Sequence, residues 1–132
     1  MPSKPSRSEI KNKMRVRSEW AKSRRKCWVC GAKSHAGFPL ETHEIERRSH
    51  ATNYHWAHTC NYFRACKKCH MDDLAAMPHA EQLAYKKIYD PLYYDRETWL
   101  SLRDPDMRAP KRVTGDEVRT HYFELKKKGH PK

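Results

Sequence analysis

Apolar residues recur at helical spacing through the second half of the chain. Ala80, Leu83, Ala84 and Ile88 stand three and four residues apart, the stripe of a helix with one buried face. Pro78 suits its first turn, and Asp90-Pro91 stops it. A shorter helix is predicted over residues 95–102, burying Trp99 and Leu102. The last carries a capping box, Thr114-Gly115-Asp116-Glu117, and runs to Lys126-Lys127-Lys128 with Gly129 beyond. Upstream the pattern changes. Phe38 to Ile45 follows Gly37 and reads as a short strand, with Pro39 confining its start to an edge. Residues 46–53 are polar and predict a loop, and 54–59 a second strand. A helix is expected from Cys69 to Met77, halted by Pro78. At the front, 1–8 is rich in Pro and Ser and predicts disorder, whereas 9–25 forms a basic helix with sparse apolar anchors at Ile10, Met14, Val16 and Trp20, ordered on a partner. The segmentation is therefore a basic N-terminal arm (1–25), a core (26–77) and a helical C-terminal extension (78–132).

Charge sharpens this picture. Twenty-eight Lys and Arg against sixteen Asp and Glu give a net +12 over 132 residues. Ten basic side chains fall in residues 1–26 against only Glu9 and Glu19. A polyanion is the natural partner, because each phosphate neutralised by Lys or Arg releases condensed counterions. Arg24, Arg25 and Lys26 are candidate nucleic-acid contacts at the end of this run. The rival is a solvated tail kept for solubility. A membrane surface fits less well, since the segment lacks an amphipathic aromatic face, and no stretch approaches the roughly eighteen apolar residues that span a bilayer. With an odd number of cysteines and a polar start, Met1-Pro2-Ser3-Lys4, the chain reads as soluble, reduced and cytoplasmic.

Candidate chemistry is concentrated in the middle. Cys27-Trp28-Val29-Cys30 and Cys66-Lys67-Lys68-Cys69 are two matched knuckles, each able to give two thiolates to one tetrahedral Zn²⁺, and Gly31 supplies the turn after the first. A metal cross-link would also supplement a core limited by 37% hydrophobic and 33% charged content. Cys60 reads as a small buried residue, with a replacement ligand role as its alternative. Five of the nine histidines (His43, His50, His55, His58, His70) lie between residues 43 and 70, next to the knuckles, and raise the expectation of a second, open metal site. Two other motifs fail. His43-Glu44-Ile45-Glu46-Arg47 lacks the second histidine of HExxH, and Cys66-Lys67-Lys68-Cys69-His70 matches c-type haem attachment, a chemistry that needs export. Tyr54, Trp56, Tyr62 and Phe63 serve either core packing, the commoner use, or base stacking. Tyr89, Tyr93, Tyr94 and Trp99 read as helix packing.

The strand residues His43-Glu44-Ile45, Asn61 placed five before Cys66, and the Cys66-to-His70 helix start together resemble the HNH nuclease family, and in particular its small bacteriophage proteins. The likeness covers residues 27 to about 75. It implies an α+β fold with a zinc-bound, treble-clef-like ββα-metal core, and a metal-dependent endonuclease that hydrolyses DNA phosphodiester bonds. Cys27, Cys30, Cys66 and Cys69 would close the structural zinc. His43 and His70 would hold a catalytic divalent ion such as Mg²⁺ or Mn²⁺. Asn61 would fix the loop and orient the base, while Arg47 and Arg48 could clamp phosphate oxygens. Implied partners are DNA, a second copy in a homodimer, or phage packaging and replication proteins, in the host cytoplasm. The sequence departs from the family at Glu44, which stands where the family usually carries the histidine base. Glu44 itself, His58, or His43 with fewer protein ligands on the metal are the accounts of the base, and loss of activity is a fourth. The leading rival function is a non-catalytic zinc-stapled DNA- or RNA-binding module, followed by a protein-binding adaptor in phage assembly.

Overall fold

The structure is a computed structural model, and it describes residues 6–35, 37, 39–48, 51, 56–102 and 113–130. Phe38, His50, Tyr54, His55, the N-terminal five residues and half of the expected 46–53 loop lie outside this set. Among the described residues the chain is α+β, with a two-stranded sheet and five helices: α1 (Arg7–Lys22), β1 (Leu40–Glu44), β2 (Tyr62–Cys66), α2 (Lys67–Asp72), α3 (His79–Tyr89), α4 (Arg96–Ser101) and α5 (Gly115–Lys127). No helix among them is long and apolar enough to cross a membrane.

The strands pair antiparallel, Leu40 opposite Cys66, Thr42 opposite Arg64 and Glu44 opposite Tyr62. β1 matches the predicted strand, trimmed at both ends. Its partner corrects the expectation of a strand at 54–59. Trp56 and Ala57 lie in a turn, Thr59–Asn61 forms a 3-10 turn, and the strand begins at Tyr62. The physical reason is burial on both faces. Tyr62, Phe63, Ala65 and Cys66 are all buried, so the strand shows no polar alternation to betray it. Trp20 of α1 meets the Tyr62 ring at 5.3 Å on one side, and Tyr85 of α3 meets Phe63 at 5.6 Å on the other.

β2 runs directly into α2, which therefore starts earlier than predicted and ends at Asp72 rather than Met77. Cys66 is its N-cap, the thiol accepting the Cys69 N–H at 3.5 Å. Helices α3 and α4 and the capped start of α5 follow the sequence reading; Thr114 Oγ1 accepts the Glu117 N–H at 3.1 Å, and Gly129 (φ 85°) ends the last helix.

The three segments share one hydrophobic core. Trp20 from α1, Trp28 from the first knuckle, Phe63, Leu83, Trp99 and Leu125 all belong to it. At its base Lys86 is fully buried, its Nζ donating to Thr59 O (2.6 Å), Tyr62 O (2.8 Å) and Asp90 Oδ2 (2.7 Å). Asp90 in turn accepts from Trp20 Nε1 (2.9 Å) and Arg24 (2.6 Å), so one carboxylate joins α1 to the α3 end. The expected basic helix is thus built into the fold through Trp20, while Arg7, Lys11, Arg15 and Lys22 stay on its exposed side.

Candidate metal centre and histidine pair

The first knuckle is shaped by backbone bonds. Gly31 N–H returns to Cys27 O (2.9 Å), Gly31 takes the left-handed conformation (φ 78°), and Cys27 N–H reaches Ala32 O (2.9 Å). Trp28 N–H then binds Arg64 O at 3.0 Å, which docks the knuckle on β2 and brings it to the second pair at the α2 start. The ligand atoms of Cys27, Cys30, Cys66 and Cys69 all lie within 4.8 Å of one another. Cys30 and Cys66 sulfurs are 3.9 Å apart, close to the edge of about 3.8 Å expected for sulfurs around a tetrahedral zinc with ~2.3 Å bonds. Burial, helped by Cys27 and opposed by the Ala32 backbone and Cys69, pushes the Cys30 thiol up, and burial with the neighbouring sulfurs pushes the Cys69 thiol up. At Cys66 burial also works upward but is outweighed by the Cys69 N–H and by hydrogen bonds from the other thiols, which hold it below its ordinary value. Four sulfurs this close ionise together only around a cation, so the donor set fits a structural metal ion such as zinc.

On the sheet face that α2 covers, His43 of β1 and His70 of α2 meet with ring centroids 4.8 Å apart and planes at 70°. Each imidazole has one nitrogen held. His70 Nδ1 faces Glu41 Oε1 at 2.8 Å, and since a carboxylate only accepts, the neutral ring carries its proton there and keeps the lone pair on Nε2. His43 Nε2 lies 2.8 Å from Gln82 Oε1. Burial, assisted by His70, lowers the His43 pKa to about 4 against the opposing effects of Gln82 and Glu44, so the ring is neutral at pH 7. A neutral imidazole whose other nitrogen is held by a hydrogen-bond acceptor is the form in which histidine binds metals.

Asn61 is fully buried in the turn that leads into β2. Its Oδ1 accepts from Glu46 N–H (2.7 Å) and Trp99 Nε1 (3.0 Å), while Nδ2 donates to Glu46 O (3.1 Å) and Trp56 O (3.0 Å). It fastens the chain after β1 to the turn before β2. Glu44, expected among the catalytic residues, does not join the histidines. Strand alternation sends it to the α1 face, where its carboxylate pairs with Arg17 (3.3 Å) and with Arg48 through two bonds of 3.0 Å. Arg48 also lies over the Trp56 ring at 3.7 Å, whereas Arg47 is exposed and makes no ion pair among the described residues.

His58 Nδ1 accepts the Cys60 N–H at 3.1 Å and caps the 3-10 turn. Cys60 is buried but stands outside the four-sulfur group, and burial raises its thiol to about 12. Arg24 is engaged with Asp90, whereas Arg25 and Lys26 are exposed and, with Lys33 and Ser34, line an open cleft of about 340 Å³. Two residues of the site escaped the sequence reading. Glu41 is two positions before His43 on the same strand face, a signal that alternation offered. Gln82 comes from α3, beyond the expected core, and nothing in the sequence pointed to it. Comparison with protein-family models, curated proteins and solved structures gave no match.

Proposed function

We propose that the protein is a metal-dependent DNA endonuclease of the HNH type, with a zinc-bound treble-clef-like core. The observation that carries this reading is the His43–His70 pair, one imidazole from the strand and one from the helix, held beside a four-cysteine cluster. The surrounding surface suits a nucleic acid: the net charge is +12, and exposed Arg25, Lys26, Lys33 and Arg47 border the knuckle and the strand end.

In this reading Cys27, Cys30, Cys66 and Cys69 hold a structural zinc, which keeps no open position for chemistry. His43 through Nδ1 and His70 through Nε2 would hold the catalytic divalent ion. Bound there, Mg²⁺ or Mn²⁺ would act as a Lewis acid on the scissile phosphate and its departing 3′ oxygen. Glu41 and Gln82 hold the two rings, and Asn61 fixes the loop between the strands. Arg25, Lys26 and Arg47 bind the phosphate backbone. In this reading the water-activating base is a group other than Glu44, a choice supported by the pairing of the Glu44 carboxylate with Arg17 and Arg48 on the far face.

A second reading draws on the ligand count. Among the described residues the four cysteines are the one group of three or more His, Cys, Asp or Glu with ligand atoms that close together. A zinc-stapled DNA- or RNA-binding module would need no more. Incubation of supercoiled plasmid with purified protein and each of Mg²⁺, Mn²⁺, Ni²⁺ and Zn²⁺ separates the two. Nicked or linear product, absent with chelator, supports the endonuclease; DNA retention on a gel without any cleavage supports the binding module.

A further inference from the structure

Gln82 is almost fully buried on α3, yet its side-chain amide is spent on two specific partners. Nε2 donates to Met77 O at 2.9 Å, in the turn between α2 and α3. That bond fixes which end of the amide is which, because a carbonyl oxygen can only accept. Oε1 is therefore the atom presented to His43 Nε2 at 2.8 Å, and an amide oxygen likewise only accepts. The proton of the neutral imidazole is drawn to Nε2, and the lone pair is left on Nδ1.

We infer that Gln82 is a positioning residue that sets the tautomer and ring orientation of His43, reading the backbone at Met77 and fixing Nδ1 as the working nitrogen. The inference rests on the proposed role of His43, but its content is a property of the protein before any catalytic ion or DNA arrives. It ties the pair to an element outside the strand–strand–helix unit. Glu41 does the same work for His70 with a carboxylate in place of the amide. The consequence is an asymmetric pair, with Nδ1 of one ring and Nε2 of the other carrying the lone pairs. Outer-sphere partners of this kind typically contribute about 10- to 100-fold to metal affinity.

The test uses the full chain with its cysteine site loaded with zinc. Nitrogen-15 NMR of the histidine rings at pH 7 reads the His43 tautomer directly, and titration with Mn²⁺ reads the affinity of the second site. Wild type is expected to show the Nε2–H form. Gln82→Met, similar in size but unable to accept, should lose that preference and weaken Mn²⁺ binding by about tenfold or more. Gln82→Glu restores an acceptor and should restore the Nε2–H form, which a merely space-filling role would not require. If Gln82→Met fails to fold, the wild-type tautomer together with Gln82→Glu still decides. An Nδ1–H form in wild type, or an unchanged tautomer in a folded Gln82→Met, overturns the inference. Wild type with the Nε2–H form but no Mn²⁺ binding upholds the tautomer assignment and removes the catalytic-ion reading instead.

Discussion

His43 and Glu44 are neighbours in sequence, and the strand separates them. One side chain joins His70 and Gln82; the other enters a clasp between Arg17 and Arg48. Glu44→Gln should accordingly lower the cleavage rate less than tenfold, with a modest loss of stability from the weakened ion pairs. A loss of a thousandfold or more in single-turnover kinetics would return Glu44 to the reaction. Asn61 behaves oppositely. Its amide satisfies two backbone carbonyls, one backbone N–H and the Trp99 indole, all buried, so Asn61→Ala should cost about 3–5 kcal/mol in urea unfolding, at roughly 1–3 kcal/mol per stranded group without full additivity. A loss under about 1 kcal/mol would show that these bonds are replaceable. At this scale the sequence was informative where residues are local. His43, Asn61 and His70 were named through the family resemblance that their motifs carry, and Glu41 was within reach of strand alternation. Gln82 was not, because its role depends on how α3 lies against the sheet.

Strand and helix boundaries were read best where one face is polar. α4 and α5 show that contrast, and α3, though buried nearly all round, keeps an apolar stripe at helical spacing, so all three were legible; β2 is covered on both faces and was placed in the wrong segment. α1 misled in another way. Its sequence is dominated by exposed charge, so the one buried anchor, Trp20, looked too little to order it. The structure supplies the rest through Asp90, which collects Trp20, Arg24 and Lys86 around a single carboxylate. Burial pushes the Asp90 pKa up, but the Lys86 charge and the hydrogen bonds from Arg24, Lys86 and Trp20 outweigh it and hold it below its ordinary 3.8. A carboxylate depressed by folding stabilises the native state fully above its unfolded value and loses that contribution as the pH falls through the folded one. Asp90→Asn should therefore cost about 3 kcal/mol at pH 7, leaving Lys86 buried without its counter-ion. The gap from wild type should narrow as the pH falls below 3.8, where the unfolded carboxylate takes up its proton while the native one still resists it. A gap independent of pH from 7 to 3 in denaturant titrations would rule out the charge as its source.

At the scale of the whole molecule, two distant stretches of chain bring four cysteine sulfurs into one group that could hold a metal ion. The knuckles at 27–30 and 66–69 meet only because Trp28 pairs with β2 and Cys66 caps α2, and their sulfurs then form one group. The cysteine spacing made that group legible from the outset. The packing of α3 on α5 and the seating of α1 were not, since helix stripes state that a face is buried and not against what. One tightly held zinc per chain is expected by elemental analysis, and its removal with a strong chelator should abolish the cooperative thermal transition, because metal binding and folding are coupled in such sites. Cys60→Ser should keep that zinc and Cys27→Ser should lose it. A chelated protein that still melts cooperatively at the same temperature would contradict this coupling.

The most direct measurement on the account as a whole is the plasmid-nicking rate of wild type beside His43→Ala, purified identically and matched for zinc content, melting temperature and DNA affinity. His43 lies outside the cysteine cluster and the basic arm, so with those three properties matched, divalent-ion-dependent nicking by wild type and a loss of at least a hundredfold in the variant are expected. Equal rates in the two proteins would assign the cleavage to a contaminant or another site. No cleavage by wild type with any divalent ion would leave a zinc-stapled nucleic-acid-binding protein in place of an endonuclease.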